Sequence, residues 1–173
     1  MNSEENAPYL DEACSPTEFR VIERFIGYEA KLLNQCRFKQ WYELFSEDGS
    51  YWVPAIPNQE NPEDTISIIY EDKLLLAVRI ERLQQGRAHS QTPMPQTIRL
   101  ISNIEVVAIN SQRSEYQVVS NFVFLEYRDG TSRFFGGELE HLLREDAGKF
   151  YIVRKRVNLI NCEDSHEFMS MPF

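Results

Sequence analysis

Four long β-rich segments stand in tandem in the second half of the chain, at residues 97–109, 115–127, 131–143 and 149–161, each rich in Val, Ile, Phe or Tyr. The connections Asp129-Gly130 and Asp146-Ala147-Gly148 carry hairpin chemistry, so the segments form a four-stranded meander. A sheet with strands this long must twist and tends to curl, and its concave face then needs a cover. The first half of the chain supplies one. Ser15-Pro16-Thr17-Glu18 combines an N-cap serine, a proline at the first helical position and a glutamate placed to return a bond to the cap. Phe19, Ile22, Phe25, Ile26, Ala30 and Leu33 then recur at helical spacing, which predicts a helix through about residue 35.

A second short helix is predicted at residues 37–46, where Phe38, Trp41, Tyr42 and Phe45 repeat the same spacing, and Glu47-Asp48-Gly49 ends it as a turn. Ser50 to Val53 reads as a strand stopped by Pro54, and residues 57–64 as a polar loop. Thr65 to Tyr70 is β-rich. Asp72 caps a third helix with a stripe of Leu76, Ile80 and Leu83, closed by Gly86. Helices followed by a meander give an α+β cone, a curved antiparallel sheet packed against N-terminal helices. Phe, Trp and Tyr side chains are available to plug that cone or to frame an internal pocket.

At 173 residues the chain fits one domain, placed at 15–173, with the polar and acidic residues 1–14 as a flexible arm. Its formal charge of -9 argues against a nucleic-acid surface, which needs clustered Lys and Arg. No apolar run approaches the roughly 20 residues that span a bilayer, and Met1 to Leu10 lacks a basic start before an apolar block, so a cytoplasmic location is expected. Cys14, Cys36 and Cys162 are odd in number and widely spaced, as reduced thiols would be. His89, His141 and His166 stand alone and no Cys-x-x-Cys or Cys-x-His pair occurs, which leaves no local ligand set for zinc, mononuclear iron or a Rieske cluster. Phosphate-binding glycine loops are absent, and Gly136-Gly137 lies inside a strand pattern. No catalytic, cofactor-binding or metal-binding residue is assigned on this basis.

Several residues still admit a sharper reading. Asp48 is either a turn former or a pocket acid of the kind found in cone-shaped isomerases and dehydratases. His141 and Glu140 point to opposite faces of a strand and cannot pair on one surface, whereas Glu138 and Glu140 share a face, as a solvated edge, a salt bridge to a subunit neighbour or paired carboxylates. Trp41 belongs to an apolar stripe. Of the strand neighbours Tyr51 and Trp52, one is expected to point away from the core and serve as an interface anchor. Arg154-Lys155-Arg156 is a short basic run, either solvated or facing an acidic partner.

The segment Phe25 to Pro54 resembles the small, or β, subunit of bacterial aromatic-ring-hydroxylating dioxygenases. The resemblance lies in Glu29-Ala30-x-Leu32-Leu33 and in Phe38-x-x-Trp41-x-x-Leu44-Phe45-x-x-Asp48-Gly49-x-Tyr51-Trp52-x-Pro54. Arg79-x-x-Arg82-Leu83, Leu100-Ile101-Ser102-Asn103, Ser120-Asn121-Phe122, Phe135-x-Gly137 and Arg154-x-x-Val157-x-Leu159-Ile160-Asn161 follow in the family's order. The aromatic block and the Asn- and Pro-rich loop after Pro54 look most like the benzoate and toluate branch. Two departures stand out, Asn34 where many members carry Asp, and Ile98-Arg99 where many carry Arg-His; both are assigned to contacts with a large subunit.

The resemblance implies a cystatin-like, nuclear-transport-factor-like fold without a cofactor of its own. It further implies a large α subunit carrying the Rieske [2Fe-2S] cluster and the mononuclear iron, and an assembly of three α with three β subunits in which the β subunits form a homotrimer. In that setting the chain is a non-catalytic subunit that assembles and stabilises the oxygenase. The complex inserts both atoms of dioxygen into an aromatic ring to give a cis-dihydrodiol, with electrons from NAD(P)H through a reductase. The competing reading is a stand-alone isomerase or dehydratase with an open cone pocket, and a binding or transport adaptor is a third.

Overall fold

The computed structural model describes residues 14–89, 95–164 and 171–173, with the backbone alone described at 86–89. The predicted arm at 1–14, apart from Cys14, and the side chains of His89 and His166 lie outside the described residues. The elements are α1 (Pro16–Asn34), α2 (Phe38–Tyr42), β1 (Phe45–Pro54), β2 (Ser67–Asp72), α3 (Lys73–His89), β3 (Gln96–Asn110), β4 (Glu115–Arg128), β5 (Thr131–Asp146) and β6 (Lys149–Leu159). They build one six-stranded sheet in the order β2-β1-β6-β5-β4-β3, antiparallel except where β1 runs parallel to β6.

Helix α1 begins on the predicted capping box, with the Glu18 amide donating to Ser15 Oγ at 3.2 Å and the Ser15 amide donating to Glu18 Oε2 at 2.9 Å. Its buried side is Ile22, Ile26, Glu29, Ala30, Leu32 and Leu33. Asp72 ends β2 and caps α3, accepting from the Leu75 amide at 2.8 Å. Leu76, Ile80 and Leu83 are buried as the stripe predicts. The helix does not close at Gly86 but continues to His89; an interior glycine costs only about 1 kcal/mol, which the turns around it can absorb.

The second helix is shorter than its spacing predicts, ending at Tyr42. Glu47-Asp48-Gly49 is not a turn but part of β1, because β6 captures the chain: the Ile152 amide donates to the Leu44 carbonyl at 2.8 Å and Ser46 Oγ donates to the Ile152 carbonyl at 3.2 Å. Register with β6 slips between Phe45 and Ser50, and a Cβ at Gly49 would meet the Ser46 and Ile152 carbonyl oxygens at 2.8 and 2.9 Å. Only glycine fits there.

The meander has its predicted turns, with Asp129-Gly130 and Ala147-Gly148 all at positive φ. Helix α1 packs on β3 and α3 on β1 and β2, so the helices close the concave face. Trp41 meets Phe45 and Tyr51 edge-on at 5.2 and 5.6 Å between centroids, and Phe173 enters a second group of rings, Phe122, Phe124 and Phe135. Among the described residues no helix is long and apolar enough to cross a membrane, and Cys14, Cys36 and Cys162 are free thiols.

Candidate functional site

Inside the cone an ionised cluster joins α1, α2, β5 and β6. Glu29, 2% exposed, accepts from Lys155 Nζ at 2.7 Å, from Trp41 Nε1 at 2.9 Å and from His141 Nε2 at 2.9 Å. His141 and Lys155 are cross-strand partners, which brings both donors to one carboxylate. Burial would raise the Glu29 carboxyl, but the Lys155 and His141 charges and hydrogen bonds outweigh it and hold the group below the usual carboxylate range. Burial pushes the Lys155 ammonium below the usual lysine range, with Glu29 opposing the drop. The predicted basic run therefore does not form a patch. Strand alternation sends Lys155 into the core, leaves Arg154 exposed and lays Arg156 over the Trp52 ring at 4.5 Å.

Glu29 was not among the candidates, although one signal marked it. It falls on the same helical stripe as Ile22, Ile26 and Leu33, and a carboxylate on an apolar stripe has to be partnered.

Asp48 is neither turn nor pocket acid. It lies exposed on β1, and hydrogen bonds from Arg144, at 3.0 Å to each oxygen, hold its carboxyl down to about 2. Arg144 also bonds Glu115 Oε1 at 2.8 Å, so Asp48 ties β1 to β4 and β5 across their ends. Glu138 and Glu140 do share the outer sheet face, where they line a cleft of about 540 Å³ with Arg156, Asn158 and Ile160. Glu140 is partnered there, accepting from Asn158 Nδ2 at 2.6 Å with Arg156 Nε at 3.5 Å.

Neither Tyr51 nor Trp52 is an exposed anchor, and Trp52 is 1% exposed. It points away from Tyr51 but is covered within the chain by Arg156, and its indole donates to Ser67 Oγ at 2.9 Å. One group of exposed apolar side chains lies elsewhere on the outer face. Ile98, Leu125 and Phe134 form one cross-strand row, and Leu100, Val123 and Gly136 the next. Phe134 is 69% and Leu100 62% exposed. Sequence spacing marked these positions only as strand residues. The uncharged block is a consequence of register.

The two departures from the common family pattern are joined, since Arg99 Nη1 donates to Asn34 Oδ1 at 3.0 Å. Arg99 is buried and Asn34 half-buried, whereas Ile98 beside them lies exposed on the outer face.

The model of the ring hydroxylating beta subunit family matches residues 28–163. The chain belongs to that family. Among its relatives, the small oxygenase component of the p-cumate 2,3-dioxygenase system of Pseudomonas putida is 35% identical over 137 residues, 78% of this chain and 75% of that one. Benzene 1,2-dioxygenase subunit beta of Pseudomonas putida is 30% identical over 79% of this chain and 78% of its own. In fold, the β subunit of benzoate 1,2-dioxygenase from Burkholderia mallei superimposes with a TM-score of 0.73, covering 87% of this chain and 93% of that one at 23% identity.

The matched span contains every motif on which the resemblance rests from Glu29 onward. Several of these residues of the β-subunit chain have structural work: Arg79 forks onto Glu71 at 2.7 to 2.9 Å, Asn103 donates to Asn121 Oδ1 at 2.8 Å, and Gly137 admits the β6 backbone. Among the described residues no three His, Cys, Asp or Glu side chains come together as a metal site, and His141 is committed to Glu29, so the donors present do not fit an iron centre.

Proposed function

We propose that this chain is the structural small subunit of a multicomponent aromatic-ring-hydroxylating dioxygenase, assembling with a large subunit that carries the Rieske cluster and the mononuclear iron. The complex contains three copies of each, acts in the cytoplasm, and converts an aromatic ring to a cis-dihydrodiol. This chain contributes assembly and stability and has no catalytic centre of its own. The observation that carries the reading is the contrast between the two sheet faces: an interior filled by side chains with its charged cluster gathered on Glu29, and an outer face with large exposed apolar groups. The competing isomerase reading needs an empty cone with an inward polar group, and Trp41, Tyr51, Phe122, Phe124 and Phe173 occupy that space.

Copies of this chain meet through the outer-face block of β3–β5 around Ile98, Leu125 and Phe134. Identical chains of charge -9 repel one another, so their contact must be poor in carboxylates. Ile98, Leu100, Val123, Tyr127 and Phe134 meet that condition. Light scattering after size-exclusion chromatography tests the whole reading, on the chain alone and co-expressed with the oxygenase large subunit encoded nearest to it. A colourless homotrimer alone and a coloured, iron-containing hetero-oligomer together are expected. A colourless monomer indifferent to every large subunit overturns it.

A further inference from the structure

Arg99 on β3 is 6% exposed, and among the described residues no carboxylate lies within ion-pair reach of it. Its guanidinium meets neutral oxygens: Nη1 donates to Asn34 Oδ1 at 3.0 Å and to Thr97 Oγ1 at 3.3 Å, Nη2 donates to the Pro172 carbonyl, and Nε has no partner. A buried cation is normally offset by an anion, because desolvation costs several kcal/mol per ion. Here a carbonyl oxygen takes that place.

The carbonyl belongs to the segment Met171–Phe173, which lies inside the cone. The Phe173 ring is 1% exposed and sits among Phe135, Phe124 and Phe122 at 5.2, 5.5 and 5.9 Å between centroids. Its amide donates to the Tyr51 hydroxyl at 3.1 Å. The segment thus places an aromatic ring in a cage of rings and a polar group between a guanidinium and a phenol.

We propose that the cone interior is a binding site for a small aryl carboxylate, with Phe173 as the tethered occupant of its ring cage. The ligand's ring replaces the Phe173 ring. Its carboxylate takes the edge of Arg99 formed by Nη2 and the unpartnered Nε, a bidentate pairing that a single carbonyl cannot supply. Asn34 and Thr97 hold Nη1 and so aim that edge. The Tyr51 hydroxyl, released from the Phe173 amide, donates to the same carboxylate. Because the tethered ring competes at high effective concentration, the intact chain binds weakly and a chain lacking the ring binds more tightly. The site depends on the interior alone, so a chain that joined no large subunit would retain it.

Calorimetric titration of the full-length chain with sodium benzoate, with benzamide as the uncharged control, tests the proposal. Phe173→Ala is expected to bind benzoate at least about tenfold more tightly than the unaltered chain, and adding Arg99→Gln to weaken that binding about tenfold, the value of one charged hydrogen bond. Benzamide should lose a similar factor. A folded Phe173→Ala chain that binds benzoate no better than the unaltered one, or indifferently to Arg99, overturns the site. Hydrogen exchange on the unaltered chain decides the matter if Phe173→Ala fails to fold. Benzoate should accelerate exchange of the Phe173 amide, and an amide unmoved up to the solubility limit of the salt overturns the proposal.

Discussion

Glu29 gathers three donors from three other elements, and its loss should be felt across the molecule. Glu29→Gln leaves the Lys155 ammonium buried without its counter-ion, a change that costs about 3–5 kcal/mol. Denaturant unfolding should show that loss, and Glu29→Gln with Lys155→Met should cost less than the two single changes together. The same residue sets a pH dependence. Its carboxyl lies below the ordinary value of 4.5 in the fold, so the unfolded chain takes up the proton first. The stability from this group is fully present above that value and is lost as pH falls below it. Unfolding midpoints followed from pH 7 to pH 3 should drop more steeply for the unaltered chain than for Glu29→Gln, and equal slopes would contradict the account. Asp48 and Glu18 shift in the same direction, but their exposure makes them smaller contributors. At the β5–β6 turn, Ala147 holds φ at 49° without a side chain suited to it. Ala147→Asn should raise stability by about 1 kcal/mol, measurable as an increase in Tm.

Elements were legible where one local signal decided them and misleading where two elements competed for the same residues. The capping box and stripe of α1 needed nothing beyond the segment itself, and the Asp72 cap that starts α3 and the turns of the meander were equally local. Residues 43–49 were different. Their aromatic spacing continues the helical pattern of α2, yet the partner that converts them to strand is β6, about a hundred residues further along the chain. Gly137 shows how tightly the strands then close. A Cβ there would stand 1.9 Å from the Asn158 carbonyl oxygen, so Gly137→Ala must push β5 from β6. A loss of about 2–3 kcal/mol is expected in thermal or denaturant unfolding, whereas the exposed Gly27, whose Cβ would meet nothing within 4 Å, should accept alanine without loss.

Across the whole molecule, register sorts charge from apolar surface. The inner face receives the Glu29 cluster and the aromatic rings, and the outer face receives an uncharged block around Ile98, Leu125 and Phe134. A charge placed in that block should spare the fold and damage the assembly. Phe134→Asp is expected to leave circular dichroism and Tm nearly unchanged while weakening self-association at least about tenfold, read by light scattering against dilution. An assembly unaffected by the change would move the interface to another face.

The amino-acid sequence by itself determined the helix starts, the hairpin turns, the α+β cone and the family, because caps, turn residues, alternation and spaced motifs act within a few residues of one another. Tertiary structure alone decided the fate of the charged groups. Lys155 and His141 look like surface residues until strand pairing turns them toward Glu29, and one of Tyr51 and Trp52 looks like an anchor until Arg156 covers the outward Trp52 ring. Arg99 meets Asn34 across 65 residues of chain, and Phe173 meets Tyr51 across 122. Such meetings depend on the closing of the sheet, and nothing in a local segment encodes the partner that burial will bring.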